Sequence, residues 1–289
     1  MTYNELKLKS EELRDIFDVE TIGKSYLKRD ILAFSPIYKP YKDNVIITAA
    51  IHAREHITCD LIIKIMELIK INYEIIEYIP VNMYFIPMIN PDGVELCING
   101  IQSVVQESHK KFLLEINNSS EDFSLWKANA KGVDLNNNFN VDWDKFKKAK
   151  TPSSQGYIGL YPESEIETKS LINFTKKISP FLTINYHCKG EEIYYRYFQK
   201  ETKRDKKIAQ LFSKSTGYKI KNVQKTSSGG YKDWCIKNLK IPSLTIEIGN
   251  ENLSHPLPLS TLPNLLNKNL ELPVLIKKSY EIFTYSKKY

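Results

Sequence analysis

The chain has 289 residues, 42% of them apolar and only 11 of them glycine, enough to bury one large core, and no Pro/Gly/Ser-rich linker or internal repeat divides it. A single domain over 1–289 is expected. The net charge of +7 is spread over scattered lysines without an aromatic-interleaved basic motif, which argues against a nucleic-acid partner, and no uncharged stretch is long enough for a membrane span.

The amino terminus, Met1-Thr-Tyr-Asn-Glu-Leu-Lys7, lacks the apolar core of a signal peptide, and the cysteines Cys59, Cys97, Cys188 and Cys235 share no Cys-x-x-Cys spacing. The expectation is a soluble, cytoplasmic protein with reduced thiols; Cys188, beside a candidate ligand, is the one candidate for a reactive thiol. Residues 1–30 read as a short helix and an irregular approach. Within them Ile22-Gly23-Lys24-Ser25 resembles the end of a phosphate loop, but Asp18 stands where that loop needs its first glycine.

Ile31–Phe34 and Asn44–Ile51 read as neighbouring strands joined by a Pro-containing turn. From Glu55 to Asn72, Asp60, Lys64, Glu67 and Lys70 recur at three- and four-residue spacing among Ile, Leu and Met, which predicts an amphipathic helix. His52 and Glu55 then fall between strand and helix, where open α/β sheets place ligands. His52-Ala-Arg-Glu55-His56 also fits the His-x-x-Glu-His pattern of inverted zinc proteases; that alternative needs His52 inside the helix, against the apolar run before it.

A strand over Val81–Met88 runs into Asn90-Pro91-Asp92-Gly93, after which 94–150 reads as a long site-bearing loop region. A helix is expected from Pro162 to Ile178, strands over Phe181–Tyr186 and Glu192–Phe198 with His187 between them, and a helix over Thr202–Ser215. A short helix starts at Gly229-Gly230, a strand spans Ser243–Ile248, and a helix closes the chain over Pro263–Tyr280. Strand and helix alternate, so the expected fold is α/β, a mixed sheet with helices on both faces.

Six motifs now stand in order: Ile51-His-Ala-Arg-Glu55, Pro87-Met-Ile-Asn-Pro-Asp-Gly93, Trp126-Lys-Ala-Asn129, Gly132-Val-Asp-Leu-Asn-Asn-Asn-Phe139, Asn185-Tyr-His187 and Thr245-Ile-Glu247. With them, over roughly residues 20–280, the chain resembles the zinc metallocarboxypeptidases, and among these the bacterial γ-D-glutamyl-diamino-acid peptidases. The resemblance implies an eight-stranded mixed sheet between helices and one zinc per chain on His52, Glu55 and His187. Two imidazoles and a carboxylate leave the fourth tetrahedral position for water, as catalytic zinc requires.

The resemblance makes Glu247 the general base, Asp134 the group that holds the His52 ring, and Lys127 the cation beside the developing oxyanion, where the family commonly has arginine. Arg54, Asn136, Asn137, Tyr231 and Lys232 would meet substrate. Asn137 is the largest departure, because carboxypeptidases normally carry arginine there to grip a terminal carboxylate. A neutral amide in place of that fork weakens the grip about tenfold.

Lys225 stands where the family has a substrate-capping tyrosine, with Tyr231 as a candidate substitute. Lys232 and the adjacent Asp233 would match the distal zwitterion of a diamino acid. The expected function is hydrolysis of the γ-D-glutamyl-diamino acid bond of muropeptides. A carboxypeptidase for ordinary L-peptides, disfavoured by Asn137, and a catalytically silent wall-binding relative, disfavoured by the complete His52/Glu55/His187/Glu247 set, are the alternatives.

Overall fold

The structure, a computed structural model, describes residues 1–38, 40–145, 149–198, 202–221 and 229–286. Helix α1 (Tyr3–Glu12) starts in a capping box between Thr2 and Glu5. Strands β1 (Phe17–Lys24), β2 (Asp30–Pro36) and β3 (Asn44–Thr48) follow, then a 3-10 turn (Ala53–Glu55), helix α2 (Ile57–Ile71) and a single turn α3 (Glu74–Glu77). Next come β4 (Asn82–Ile86), α4 (Pro91–Asn99), α5 (Glu107–Ile116), α6 (Ile166–Ile178), β5 (Leu182–Cys188), β6 (Glu192–Tyr194), α7 (Lys203–Thr216) and β7 (Lys219–Ile220). The chain continues through α8 (Tyr231–Trp234), a π-helical turn (Cys235–Leu239), β8 (Ser243–Ile248), α9 (Leu262–Asn269) and α10 (Leu272–Ser286).

Among the described residues eight strands join one mixed sheet in the order β1-β2-β4-β3-β5-β8-β6-β7. Its centre, β4-β3-β5-β8, is parallel. Parallel strands covered on both faces need apolar residues at successive positions, which is why every residue of β5 is buried. Ile47, Phe85 and Ile184 join a core shared with α2, α7, α9 and α10, while their neighbours Ile46 and Ile86 face Leu171 and Phe174 of α6 and Trp234. This is the two-residue alternation of a pleated strand packed between two helical layers. Among the described residues no helix is long and apolar enough to cross a membrane.

Several boundaries depart from the expectation. The irregular approach contains β1, which pairs along its length with β2. There Gly23 serves close packing and not phosphate binding: a Cβ on it would lie 2.0 Å from Ser170 Oγ of α6. Strands β2 and β3 are not neighbours, because β4 lies between them, antiparallel to β2 and parallel to β3.

The 94–150 region is less loop-like than expected; α4 and α5 pack Leu96 and Leu113 against Phe123 and Trp126 in a small core of their own. Helix α6 begins at Ile166 and not at Pro162, since Glu163 has a φ of 60° that no helix accepts. His187 lies within β5, and the strand after it stops at Tyr194. The closing helix is two helices, the second restarting at Leu272 with Pro273, which has no N–H to continue α9.

Candidate metal centre

Strand β3 delivers the chain to the carboxyl edge of the sheet, where Ala50 takes a φ of 47° and turns it toward the 3-10 element. His52 is extended, with φ −96° and ψ 131°, and precedes that element; α2 starts only after His56. His52 and His56 therefore do not project from one helix, and the inverted zinc protease pattern has no structural basis here. His56 stays outside the cluster, its pKa lowered to about 4 by burial and by the amino terminus.

The turn is fastened from three sides. Thr58 Oγ1 accepts from Ala50 N at 2.9 Å and donates to the Glu55 carbonyl at 2.7 Å. Asn90 donates through Nδ2 to the carbonyls of Ile51 at 3.2 Å and Ala128 at 3.0 Å, while its Oδ1 caps α4 at Gly93 N. Gly93 permits this approach, because a Cβ there would sit 2.4 Å from the Ala128 carbonyl oxygen. The third fastening is Ala53 N, which donates to the Lys127 carbonyl at 3.1 Å.

Into this frame β5 brings His187. His52 Nδ1 lies 2.8 Å from Glu55 Oε1, His187 Nδ1 lies 3.0 Å from Glu55 Oε2, and the two Nδ1 atoms are 3.2 Å apart. All three residues are about 95% buried or more. Two imidazole nitrogens facing each other beside a carboxylate repel through their lone pairs unless a proton or a cation sits among them. The donor atoms of the three lie within 4.8 Å of one another, the only such group among the described residues. Two nitrogens and one oxygen are the ligand set of a catalytic zinc site.

Around the three donors the charges alternate. Asp134 Oδ1 faces His52 Nε2 at 3.4 Å, and Oδ2 lies 3.2 Å from Lys127 Nζ and accepts from Gly156 N at 3.2 Å. Burial works against the charge of Asp134, but Lys127 and His52 outweigh it and hold the carboxyl well below the usual range. Burial likewise opposes charge on Lys127, which Asp134 and Glu55 overcome, so its ammonium is raised and stays protonated. Glu55 is buried yet held well below its ordinary value by His52 and His187. On the neighbouring strand β8, Glu247 stands in register with His187. Burial is the main cause that lifts its pKa to about 7, with Glu55 adding to the rise and His187 and Lys127 opposing it.

A model of the zinc carboxypeptidase family matches residues 2–272. The chain belongs to this family. It is 31% identical over 235 residues to gamma-D-glutamyl-L-diamino acid endopeptidase 1 of Lysinibacillus sphaericus, covering 77% of this chain and 58% of that protein. It is 28% identical over 276 residues to the Bacillus subtilis protein YqgT, covering 89% and 72%. The chain thus spans less than two thirds of the first relative's length. The fold superposes on bovine thrombin-activatable fibrinolysis inhibitor with a TM-score of 0.75 at 20% identity, over 100% of this chain and 97% of that one. As in that family, the cofactor is zinc, and His52, Glu55 and His187 are the group that fits it.

The expected substrate residues divide. Arg54 lies beside the centre, its guanidinium donating to Gln155 Oε1 at 3.1 Å and to the Leu125 carbonyl at 3.3 Å. Asn137 is half-buried in the 3-10 turn after Asp134, and the neighbouring Asn136 Oδ1 accepts from Tyr231 N at 3.0 Å. Tyr231 cannot cap a substrate from where it stands: it is 2% exposed, stacks near Phe139 and Trp234, and its hydroxyl bonds Thr175 at 2.7 Å.

Lys232 and Asp233 are both buried and pair with each other, and Lys232 also donates to the Arg196 carbonyl at 2.6 Å. The two charges expected to meet a zwitterion are engaged with one another. Lys225 lies outside the described residues. Cys188 is no reactive thiol; burial, then Glu55 and Glu247, push its pKa far up, while its N–H donates to Glu55 Oε2 at 3.3 Å.

His255 reads from the sequence as a structural histidine in a polar context without partners. Burial lowers the pKa of His255, with Glu55 opposing and Arg54 adding to the fall, and its Nδ1 is buried without a hydrogen-bond partner. It lies eight residues beyond Glu247, in the loop leaving the carboxyl end of a central strand.

Proposed function

We propose that this chain is a peptidase that hydrolyses the bond between γ-D-glutamate and a diamino acid in peptidoglycan stem peptides, with residues 1–289 as one catalytic domain. The observation that carries the chemistry is the convergence of His52, Glu55 and His187 beside Glu247. The substrate follows from the activity in the name of the Lysinibacillus sphaericus relative and from the residue at 137.

His52, Glu55 and His187 would hold the zinc, which when bound would lower the pKa of a water to about 7 and polarise a carbonyl. Glu247 takes a proton from the attacking water and returns it to the leaving amine. Lys127 places its ammonium where negative charge develops on the carbonyl oxygen; lysine gives charge there without the two-pronged geometry of arginine. Asp134 faces the far nitrogen of the His52 ring at 3.4 Å, placed to orient it, and pairs with Lys127.

Asn137, a neutral amide, does not demand a free terminal carboxylate, so a further D-alanine after the diamino acid is tolerated. Reading the distal zwitterion through Lys232 and Asp233 requires the pair to open toward substrate. Four buried free thiols suit a reducing compartment, and we place the protein in the cytoplasm.

The test is a panel of muropeptides and L-peptides, with zinc measured in parallel. Cleavage of L-Ala-γ-D-Glu-diaminopimelate is expected. Release of a C-terminal phenylalanine from an L-dipeptide, with no action on that tripeptide, would replace this reading with an ordinary carboxypeptidase.

A further inference from the structure

We propose that Glu165 and Glu167 clamp the side chain of Asn129 as a positioning site for the loop that presents Lys127 and Asp134 to the metal centre. The inference rests on the reading above, in which those two residues act beside zinc. Asn129, Glu165 and Glu167 are each at most 2% exposed, and among the described residues their side chains bond one another, Lys131, Val133, Ser164 and Tyr26.

Every hydrogen-bonding position of the Asn129 amide is used. Nδ2 donates to Glu165 Oε2 at 2.8 Å and to Glu167 Oε2 at 3.4 Å. Oδ1 accepts from the backbone N–H groups of Lys131 and Val133, both at 3.0 Å. The turn is closed again by its main chain, Asn129 N to Val133 O at 2.9 Å and Gly132 N to Asn129 O at 3.1 Å, and Trp126 Nε1 donates to the same Asn129 carbonyl at 3.3 Å. Lys127 is two residues before this knot and Asp134 is the residue after Val133. Between them Lys127 O and Ala128 O anchor Ala53 and Asn90 of the metal loop. A displacement of Asn129 is therefore passed to the cation, to the carboxylate behind His52 and to the turn holding His52.

The choice of two carboxylates has a physical reason. The backbone N–H groups of Lys131 and Val133 can only donate, so they require the oxygen end of the amide to point into the turn, and the glutamate oxygens accept from the Nδ2 end that points back toward α6. Glu165 is further held by Lys131 Nζ at 3.1 Å and by the Ser164 hydroxyl at 2.8 Å, and Glu167 Oε1 accepts from Tyr26 N at 3.2 Å. Burying two acids side by side is unfavourable unless each has its partners, and an apolar filler would leave the amide free to turn over. The arrangement makes sense where the orientation of one amide matters.

Asn129→Asp tests this, because it keeps the acceptor that binds the turn and turns the donor into a second acceptor facing both glutamates. Zinc affinity, read by chelator competition without any peptide, should fall about tenfold, and kcat about tenfold with KM nearly unchanged, as for loss of a group that orients a metal ligand. Asn129→Asp combined with Glu165→Gln restores one donor-acceptor pair with its direction reversed and should recover most of both losses. A purely structural role would lower the melting temperature and leave kcat, zinc affinity and the rescue unmoved.

Wild-type zinc affinity and kcat in Asn129→Asp, or a double variant no better than the single one, would overturn the proposal. Should Asn129→Asp not fold, Asn129→Gln, which keeps the amide but moves it by one methylene, carries the same expectations and the same refutation. Failure of the wild-type protein to cleave any muropeptide would remove the substrate reading alone, since the zinc affinities still decide the positioning role.

Discussion

Replacing Glu167 by glutamine should flatten part of the pH dependence of stability. Glu167 is fully buried at the start of α6, facing Asp92 of α4, Glu165, and the Tyr26 N–H, with Arg29 committed to Asp92 and Lys131 to Glu165. Burial first, then Asp92 and Glu165, raise its pKa from the ordinary 4.5 to about 7. Its folded pKa lies above its unfolded one, so the native state holds the proton more tightly. The associated stability is complete below pH 4.5 and is lost as pH rises to about 7, after which the contribution is level.

At 1.36 kcal/mol per pH unit, the rise corresponds to about 3 kcal/mol across that window. Glu167→Gln carries no proton to lose and keeps the size; its single carbonyl oxygen can accept from Tyr26 N while its NH2 faces Asn129 Nδ2 in place of the 3.4 Å bond, a pH-independent cost that shifts the whole curve without changing its slope. Urea unfolding of both proteins, in the absence of zinc, at pH 5, 6, 7 and 8 is the assay; the difference between the two curves isolates this one group from His52, Glu247 and the other titrating residues. The mutant should gain on the wild type by roughly 2–3 kcal/mol between pH 5 and pH 8. Parallel curves over the whole range would refute the reasoning, since a carboxyl that titrates at its ordinary value adds no slope above pH 5.

Glu247→Gln should retain fold and zinc and lower turnover on the order of 100-fold or more; near-normal turnover by a continuous peptidase assay would remove Glu247 from the mechanism. His56→Ala should keep one zinc per chain by elemental analysis and His187→Ala should lose it, and the opposite pattern would reinstate the helix-borne ligand pair. Asp134→Asn, which exposes His52 Nε2 to a neutral amide and takes the counter-ion from Lys127, should weaken zinc binding about 10–100-fold; unchanged affinity would show that the ring is held by its packing alone. Lys232→Glu should raise KM for a diaminopimelate peptide well above that for a lysine analogue, and equal effects on the two would separate Lys232 from specificity.

The elements legible in the sequence were those whose reason is local. Val45, Ile46 and Ile47 are apolar at successive positions, and Leu244 and Ile246 flank Thr245 in the same way, because central parallel strands are buried on both faces. Strand β8 accordingly spans Ser243–Ile248 as expected. The metal group was legible for another reason. Metal-binding side chains at the carboxyl ends of such strands have few structural uses, and six motifs in family order identified their partners 132 residues apart, as Glu55 and His187 are.

Other features have no local signature. β1 alternates weakly, Phe17 buried and Asp18 exposed, and becomes a strand only because β2 offers it a partner. That β4 would separate β2 from β3 depends on the crossover through α2, which no residue in either strand encodes. Tyr231 and Lys232 sat at promising positions, yet whether a phenol points into a cleft or onto Thr175, and whether an ammonium meets a ligand or Asp233, is decided by packing around them. His255 and the Asn129 clamp likewise exist only once distant segments are brought together. Sequence by itself determined the chemistry of the centre, because ligand types and strand burial are properties of single residues and short runs; tertiary structure alone decided which polar groups face substrate and which satisfy one another, because a buried charge takes whichever partner the fold brings within reach.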